Sequence, residues 1–332
     1  MRSEIEQLAL DIARCSELST AVIDAKHPCH KISHTQVAIN GKYRQVPEAW
    51  VGNLETAKIL VVSSNPSIST PEKPGTGEVY PLAGFADLTE SHPDWADDKD
   101  PEATDANVAL NFGLLEFQTQ RLNQNRDKPF VTQNAQFLCE DAIYRGGDKV
   151  NSTKKSQNYW KAAFKQGQDL LGDSFSLGHD LCLTEIVHCK SKREAGVAKA
   201  APLCSQKYLH RILDSSNARL LVIGGRQARE MVIDNYGTWN EQGGHQWEIG
   251  KSFGQLRGDN IEARDHIGLF TSAKTQCITI ACQQMSYTSN TRRFVEQVIG
   301  SEATQKLRVI LQATNAPRFE NRDHVLRELG LS

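Results

Sequence analysis

Four clusters of polar residues each follow directly on a short apolar run. They are Ser63-Ser64-Asn65-Pro66-Ser67, Glu185 through Lys190, Gly224-Gly225-Arg226 and Gln283-Gln284-Met285-Ser286. Amide, carboxylate, hydroxyl and guanidinium groups grip polar ligands through hydrogen bonds. Taken singly each cluster is also an ordinary turn, because Asn-Pro, Gly-Gly and Ser are turn formers. Four such exits around one sheet make a pocket the better reading, since ligands of open α/β sheets bind beyond the carboxyl ends of the strands.

Cysteine is the second residue type with chemistry to offer. The chain has eight, without the paired spacing of a secreted disulfide framework. Cys189 and Cys204 stand fifteen residues apart. His27, His30 and His34 lie beside Cys29, which keeps a zinc site open. Cys139, Cys182, Cys277 and Cys282 sit in apolar contexts and are expected in the core.

The elements that must position these groups are legible in the hydrophobic pattern. Residues 57–63 (AKILVVS), 181–187 (LCLTEIV), 218–223 (ARLLVI) and 277–282 (CITIAC) lack strict alternation, as strands covered on both faces do. Helix-like segments occupy 159–171, 203–213 with Pro202 at the start, 226–236 after a Gly-Gly, and 290–299. Strands alternating with helices predict a three-layer α/β/α fold with a mostly parallel, doubly wound sheet of about four strands, carrying insertions.

We read the 332 residues as a single α/β domain. A prefix, 1–56, has an amphipathic N-terminal helix and an Asn40-Gly41 hairpin signal. An insertion, 72–156, is acidic at first and then helical around 107–123. Residues 237–268, Gly-rich with Trp239, Trp247 and Phe253, suggest a small antiparallel excursion, and 301–332 a helical tail. With 39% hydrophobic and 23% charged residues, the composition excludes a disordered chain, a collagen-like repeat and a disulfide-dense miniprotein. No apolar run reaches the length of a membrane span, and the first apolar stretch contains acids, unlike a signal peptide. A cytoplasmic monomer is expected.

The net charge of −2 argues against a strongly basic nucleic-acid binder. Locally the balance differs. Residues 87–105 hold eight acids and one Lys, whereas 187–211 and 145–165 each hold six Lys or Arg and one acid. Such separation creates a local field that the total conceals.

VVSSNPS, LTEIVHCKSK with Cys204 fifteen residues past Cys189, LLVIGGRQA and ITIACQQMS together resemble the uracil-DNA glycosylase superfamily, in order, spacing and strand context. The resemblance covers roughly residues 57–300 and is poor in the insertion. It implies a monofunctional glycosylase that flips a base from DNA and hydrolyses its N-glycosidic bond, leaving an abasic site. Asn65 would position the attacking water, which suffices where the transition state is oxocarbenium-like. Ser63 and Ser67 replace the family's usual glycines. Gln284 stands where relatives carry His and could donate a hydrogen bond to the departing base. Tyr80, or Phe85, would stack on the extruded base, with Phe112 more remote. Ser286 would bind a flanking phosphate and Met285 wedge into the gap. Lys190, Lys192, Arg193 and Arg292 would contact the DNA. The small basic footprint implies roughly 3–5 neutralised phosphates and a shallow salt dependence.

Two departures carry most of the information. Many relatives have Asn where Glu185 stands. An ionised carboxylate cannot donate to uracil O4 but can accept from an exocyclic amine, as acids do when they read cytosine. This favours a cytosine-like base with a 5-substituent, such as the glucosylated hydroxymethyl form in phage DNA, and hence a role in phage defence. A protonated Glu185 could instead mimic the amide. Uracil or deaminated-base repair and a catalytically silent DNA-binding module are the alternatives.

The second departure concerns iron. Iron–sulfur members of the superfamily use two N-terminal Cys, one at the K-C strand exit and one about fifteen residues later. Cys189 and Cys204 match the second pair. Cys15 and Cys29 are the N-terminal Cys available to complete a [4Fe–4S] set, although thirteen residues separate them where relatives have C-x-x-C. Zinc, or no metal at all, remains the alternative.

Overall fold

The computed structural model describes residues 4–13, 15–36, 47, 49–51, 53–64, 167–172, 175, 179–189, 191, 194–234, 246–252, 266–272, 274–282, 294–315 and 317–332. The chain divides into two compact units. The first takes Met1–Val51, Ser64–Gln157 and Glu185–Leu209; the second takes Gly52–Ser63, Asn158–Thr184 and His210–Ser332. The helix expected around 107–123 and the hairpin signal at Asn40-Gly41 lie outside the described residues. So do residues 159–166 of the segment read as a helix over 159–171; its end, 167–171, is helical.

The second unit is built on a sheet. Its strands are β2 (Ile59–Ser63), β3 (Leu181–Glu185, whose last residue opens the first unit), β4 (Leu220–Gly224), β5 (Gln246–Ser252), β6 (His266–Thr271) and β7 (Gln276–Cys282). A short β1, Trp50–Val51, belongs to the first unit. Hydrogen-bonded neighbours run β3-β2-β4-β7-β6-β5. β4 is parallel to β2 and to β7, with Val222 opposite both Val61 and Ile280. β6 is antiparallel to β7 and β5 to β6.

All four apolar runs are therefore strands, and β2, β3 and β4 are buried along their whole length. Val, Ile and Leu fill them because each fully buried aliphatic side chain contributes about 1.5–3 kcal/mol. Cys182 and Cys277 are buried in this sheet as expected. The stretch read as an antiparallel excursion differs in one respect. Its strands β5 and β6 extend the main sheet beyond β7, which takes the strand count past four.

Helices follow the strands. Helix α6 (Arg226–Asp234) succeeds β4, and α7 (Phe294–Ile299) and α8 (Ser301–Gln312) succeed β7. The last helix, α9 (Arg322–Leu329), starts at Asn321, whose side chain accepts the His324 N–H, and stops at left-handed Gly330. Gln276 fixes the approach to it by exchanging two hydrogen bonds with the Phe319 backbone.

The first unit contains α1 (Glu4–Ala13), α2 (Glu17–Ile23), α3 (His30–Gln36) and α4 (Val197–Cys204). Sequence reading starts the last of these at Leu203 behind Pro202. The helix instead begins at Val197 and holds Pro202 inside it. Gly196, at φ 88°, turns the chain into the helix, and Ala198, Ala200 and Ala201 are strong helix formers. What Pro202 removes is one N–H, directed at the Ala198 carbonyl. The run continues as a π segment, Ser205–Leu209, and then as α5 (His210–Ser215).

Candidate functional site

The first unit holds the site. At its start, the Ser64 carbonyl accepts the Val187 N–H at 3.1 Å, tying together the segments that leave β2 and β3. Ser63 and Ser64 are buried, and Glu185 is only 5% exposed at the end of β3. Glu185 is thus not a carboxylate simply solvated at a strand end. Ser205 Oγ donates to the Ile186 carbonyl and holds the π segment against the same exit.

Past this exit, one cavity is walled by Cys15, Cys29, Cys189 and Cys204 together. It is a small cavity, part of it open to solvent. Its other walls include Leu18, Ile32, Val187 and Leu203, with Glu17, Lys207 and Tyr208 as the polar members. Cys15 lies between α1 and α2, Cys29 precedes α3, Cys189 follows β3 and Cys204 ends α4. All four cysteines of the expected set line this one cavity. Three of them, Cys29, Cys189 and Cys204, are buried.

The electrostatics follow from that placement. Burial pushes the Cys29 thiol up to about 11, with Cys15 and Glu17 adding to it and Lys207 opposing. Burial also raises Cys189 well above the ordinary thiol range, and Cys204, Cys15 and Cys29 raise it further. Cys204 is raised in the same way, opposed by the backbone N–H of His188. Thiols that burial keeps protonated give up their protons when they bind a metal.

A single ion fits them poorly. In a tetrahedral zinc site two thiolates lie roughly 3.8 Å apart, from Zn–S bonds of about 2.3 Å. Among the described residues no three His, Cys, Asp or Glu are grouped closely enough to hold one ion. The histidines are also engaged elsewhere. His27 Nε2 is 3.2 Å from Glu17 Oε2, and its Nδ1 accepts the Cys29 N–H at 3.1 Å. His30 Nδ1 lies 2.7 Å from the Ala21 carbonyl. The His34 side chain lies outside the described ones. Four cysteine thiols are the donor type and number that an iron–sulfur cluster takes.

Groups the sequence reading passed over complete the surroundings. Lys207 Nζ donates to Glu17 Oε1 at 2.6 Å and to Ser16 Oγ at 2.8 Å. Tyr208 is buried, donates its hydroxyl to the Asp11 carbonyl at 3.1 Å and meets the His188 ring edge-on at 5.7 Å. Lys207 and Tyr208 stand three and four residues past Cys204, the spacing of one helix face, so that signal was available. The remaining expected residues lie outside the described ones: Asn65, Tyr80, Phe85, Phe112, Lys190, Lys192, Arg193, Gln284, Met285, Ser286 and Arg292.

Comparison with family models, with curated proteins and with solved structures gives no match. Among the described residues, no helix is long and apolar enough to cross a membrane.

Proposed function

We propose that this chain is a DNA glycosylase that holds a [4Fe–4S] cluster on Cys15, Cys29, Cys189 and Cys204 and hydrolyses the N-glycosidic bond of a modified, cytosine-like base. The observation that carries the reading is that these four thiols line one cavity of the first unit. Two short segments more than 150 residues apart supply them, in the pairing that the family resemblance implies. The cluster, when bound, supplies a structural tie; bond breaking belongs to other residues.

In this reading the flipped base enters beyond the strand ends. Glu185 accepts from its exocyclic amine, and Tyr80 or Phe85 covers its face. Asn65 holds the water that adds to the sugar C1′, the glycosidic bond breaks, and Gln284 donates a hydrogen bond to the leaving base. The water's proton passes to solvent or to the base, so atoms balance without a further reactant. Lys190, Lys192, Arg193, Arg292 and Ser286 bind phosphates, and Met285 fills the gap left in the stack. A protein of this kind suits defence against phage whose DNA carries hypermodified cytosine.

The test has two arms. Full-length protein purified without chelator should be brown, absorb near 400 nm and contain iron and sulfide. It should also convert oligonucleotides carrying 5-hydroxymethylcytosine, or its glucosylated form, to alkali-labile abasic sites. Excision of uracil or hypoxanthine alone would overturn the cytosine reading. DNA binding without excision of any base, unchanged in Asn65→Ala, would make the chain a binding module.

A further inference from the structure

Glu17 sits where three segments of the thiol site meet. One oxygen, Oε1, accepts from Lys207 on the π segment behind Cys204; the other, Oε2, lies 3.2 Å from His27 Nε2. His27 in turn accepts the Cys29 N–H through Nδ1. Because Nδ1 is an acceptor, the ring proton is on Nε2 and is donated to Glu17. Lys207 also bonds Ser16, the neighbour of Cys15. The chain of contacts Cys29–His27–Glu17–Lys207–Ser16 thus runs between the segments that carry Cys15, Cys29 and Cys204.

We propose that Glu17 is a positioning residue of the thiol site, its carboxylate clasping Lys207 and His27 so that Cys15, Cys29 and Cys204 are held at one spacing before metal arrives. This rests on the cluster reading above. Only a carboxylate serves, because both partners are donors and a carboxylate accepts through both oxygens. A glutamine side chain in its place could satisfy one of them. With its oxygen toward Lys207, its amide would face the Nε2–H of His27, and moving that proton to Nδ1 would break the bond to Cys29. With the amide reversed, it would face the Lys207 ammonium. Lys207 Nζ also stands 5.7 Å from the Tyr208 ring centroid, so the cation is held on the cavity wall from two sides. Glu17 pulls on the ligand set without touching the metal, as outer-shell partners of metal ligands do.

The experiment compares cluster loss from wild type, Glu17→Gln, Lys207→Met and the double variant. Absorption near 400 nm is followed after adding an iron chelator, and circular dichroism monitors folding. Glu17→Gln should release iron roughly ten-fold faster or more. Lys207→Met, which keeps the apolar stem, should act in the same direction, and the double variant should be little worse than the faster single one. In the metal-free protein, alkylation of Cys29 should be faster than in wild type both in Glu17→Gln and in Lys207→Met, where loss of the cation alone would slow it. Equal iron release and equal alkylation in wild type and Glu17→Gln would overturn the role of Glu17. Wild type that never takes up iron fails the cluster reading instead, and the alkylation arm still decides whether Glu17 orders the thiols.

Discussion

The Nδ1 atom of His27 accepts the backbone N–H of Cys29 at 3.1 Å, two residues along the chain. That bond shapes the turn through Pro28 that presents Cys29 to the cavity. A side chain here orders the backbone of a thiol-bearing turn. At Cys204 the roles are reversed, with the thiol facing the backbone N–H of His188.

The four cysteines should separate cleanly from the others by substitution. Cys15→Ser, Cys29→Ser, Cys189→Ser and Cys204→Ser should each lose nearly all the absorption near 400 nm. Cys182→Ala, in the sheet, should keep it. Iron analysis on the five purified variants gives the answer, and a coloured Cys15→Ser would remove Cys15 from the set.

Tyr208→Phe removes one hydroxyl that is hydrogen-bonded to the Asp11 carbonyl and keeps the ring in place. The expected cost is about 1 kcal/mol. Denaturant unfolding should show a lower midpoint with an unchanged slope.

Gly196→Ala should destabilise more than Gly330→Ala, though both glycines are left-handed, at φ 88° and 70°. A Cβ on Gly196 would lie 3.0 Å from the Ile32 backbone nitrogen, whereas one on Gly330 would meet only the end of the Lys306 side chain, which can swing aside. Backbone strain alone costs about 1–2 kcal/mol at either site. Thermal melts should place Gly196→Ala clearly below Gly330→Ala; equal melting points would mean that α3 and the Gly196 turn separate easily.

Alkaline pH offers a fourth check. Burial lifts the Cys277 thiol to about 12, and its Sγ lies 2.8 Å from the Ala218 carbonyl. With the folded value above the unfolded one, this contribution is intact below about pH 9. It is lost progressively as pH rises from there toward about 12, because the unfolded chain gives up its proton first. Cys277→Ala should flatten the fall of stability over that window by close to one proton's worth of slope. An unchanged slope would mean that the thiol is not shielded.

The strands were legible because burial on both faces writes an unbroken apolar run, as in Ile59–Ser63 and Leu220–Gly224. The start of α4 was not, because Pro202 signals a first turn and in fact lies mid-helix, where Gly196 had already turned the chain. That β5 and β6 would join the main sheet was equally hidden, since pairing with β7 is settled by tertiary contact. Within the site, Cys189 and Cys204 were singled out by the family resemblance, and both line the cavity. The pair Lys207–Glu17 spans 190 residues, and no local pattern announces it.

That separation also sets an order of events during synthesis. The segments bearing Cys15 and Cys29 leave the ribosome long before residues 187–208, which supply the other wall of their cavity. At about 5–20 residues per second the wait is roughly 10–40 s. For that interval the N-terminal helices have one another but not Tyr208 or Lys207, and two thiols stand without their counterparts. Under the cluster proposal, metal capture is a late step of this chain's biogenesis, timed by the emergence of a segment in its second half.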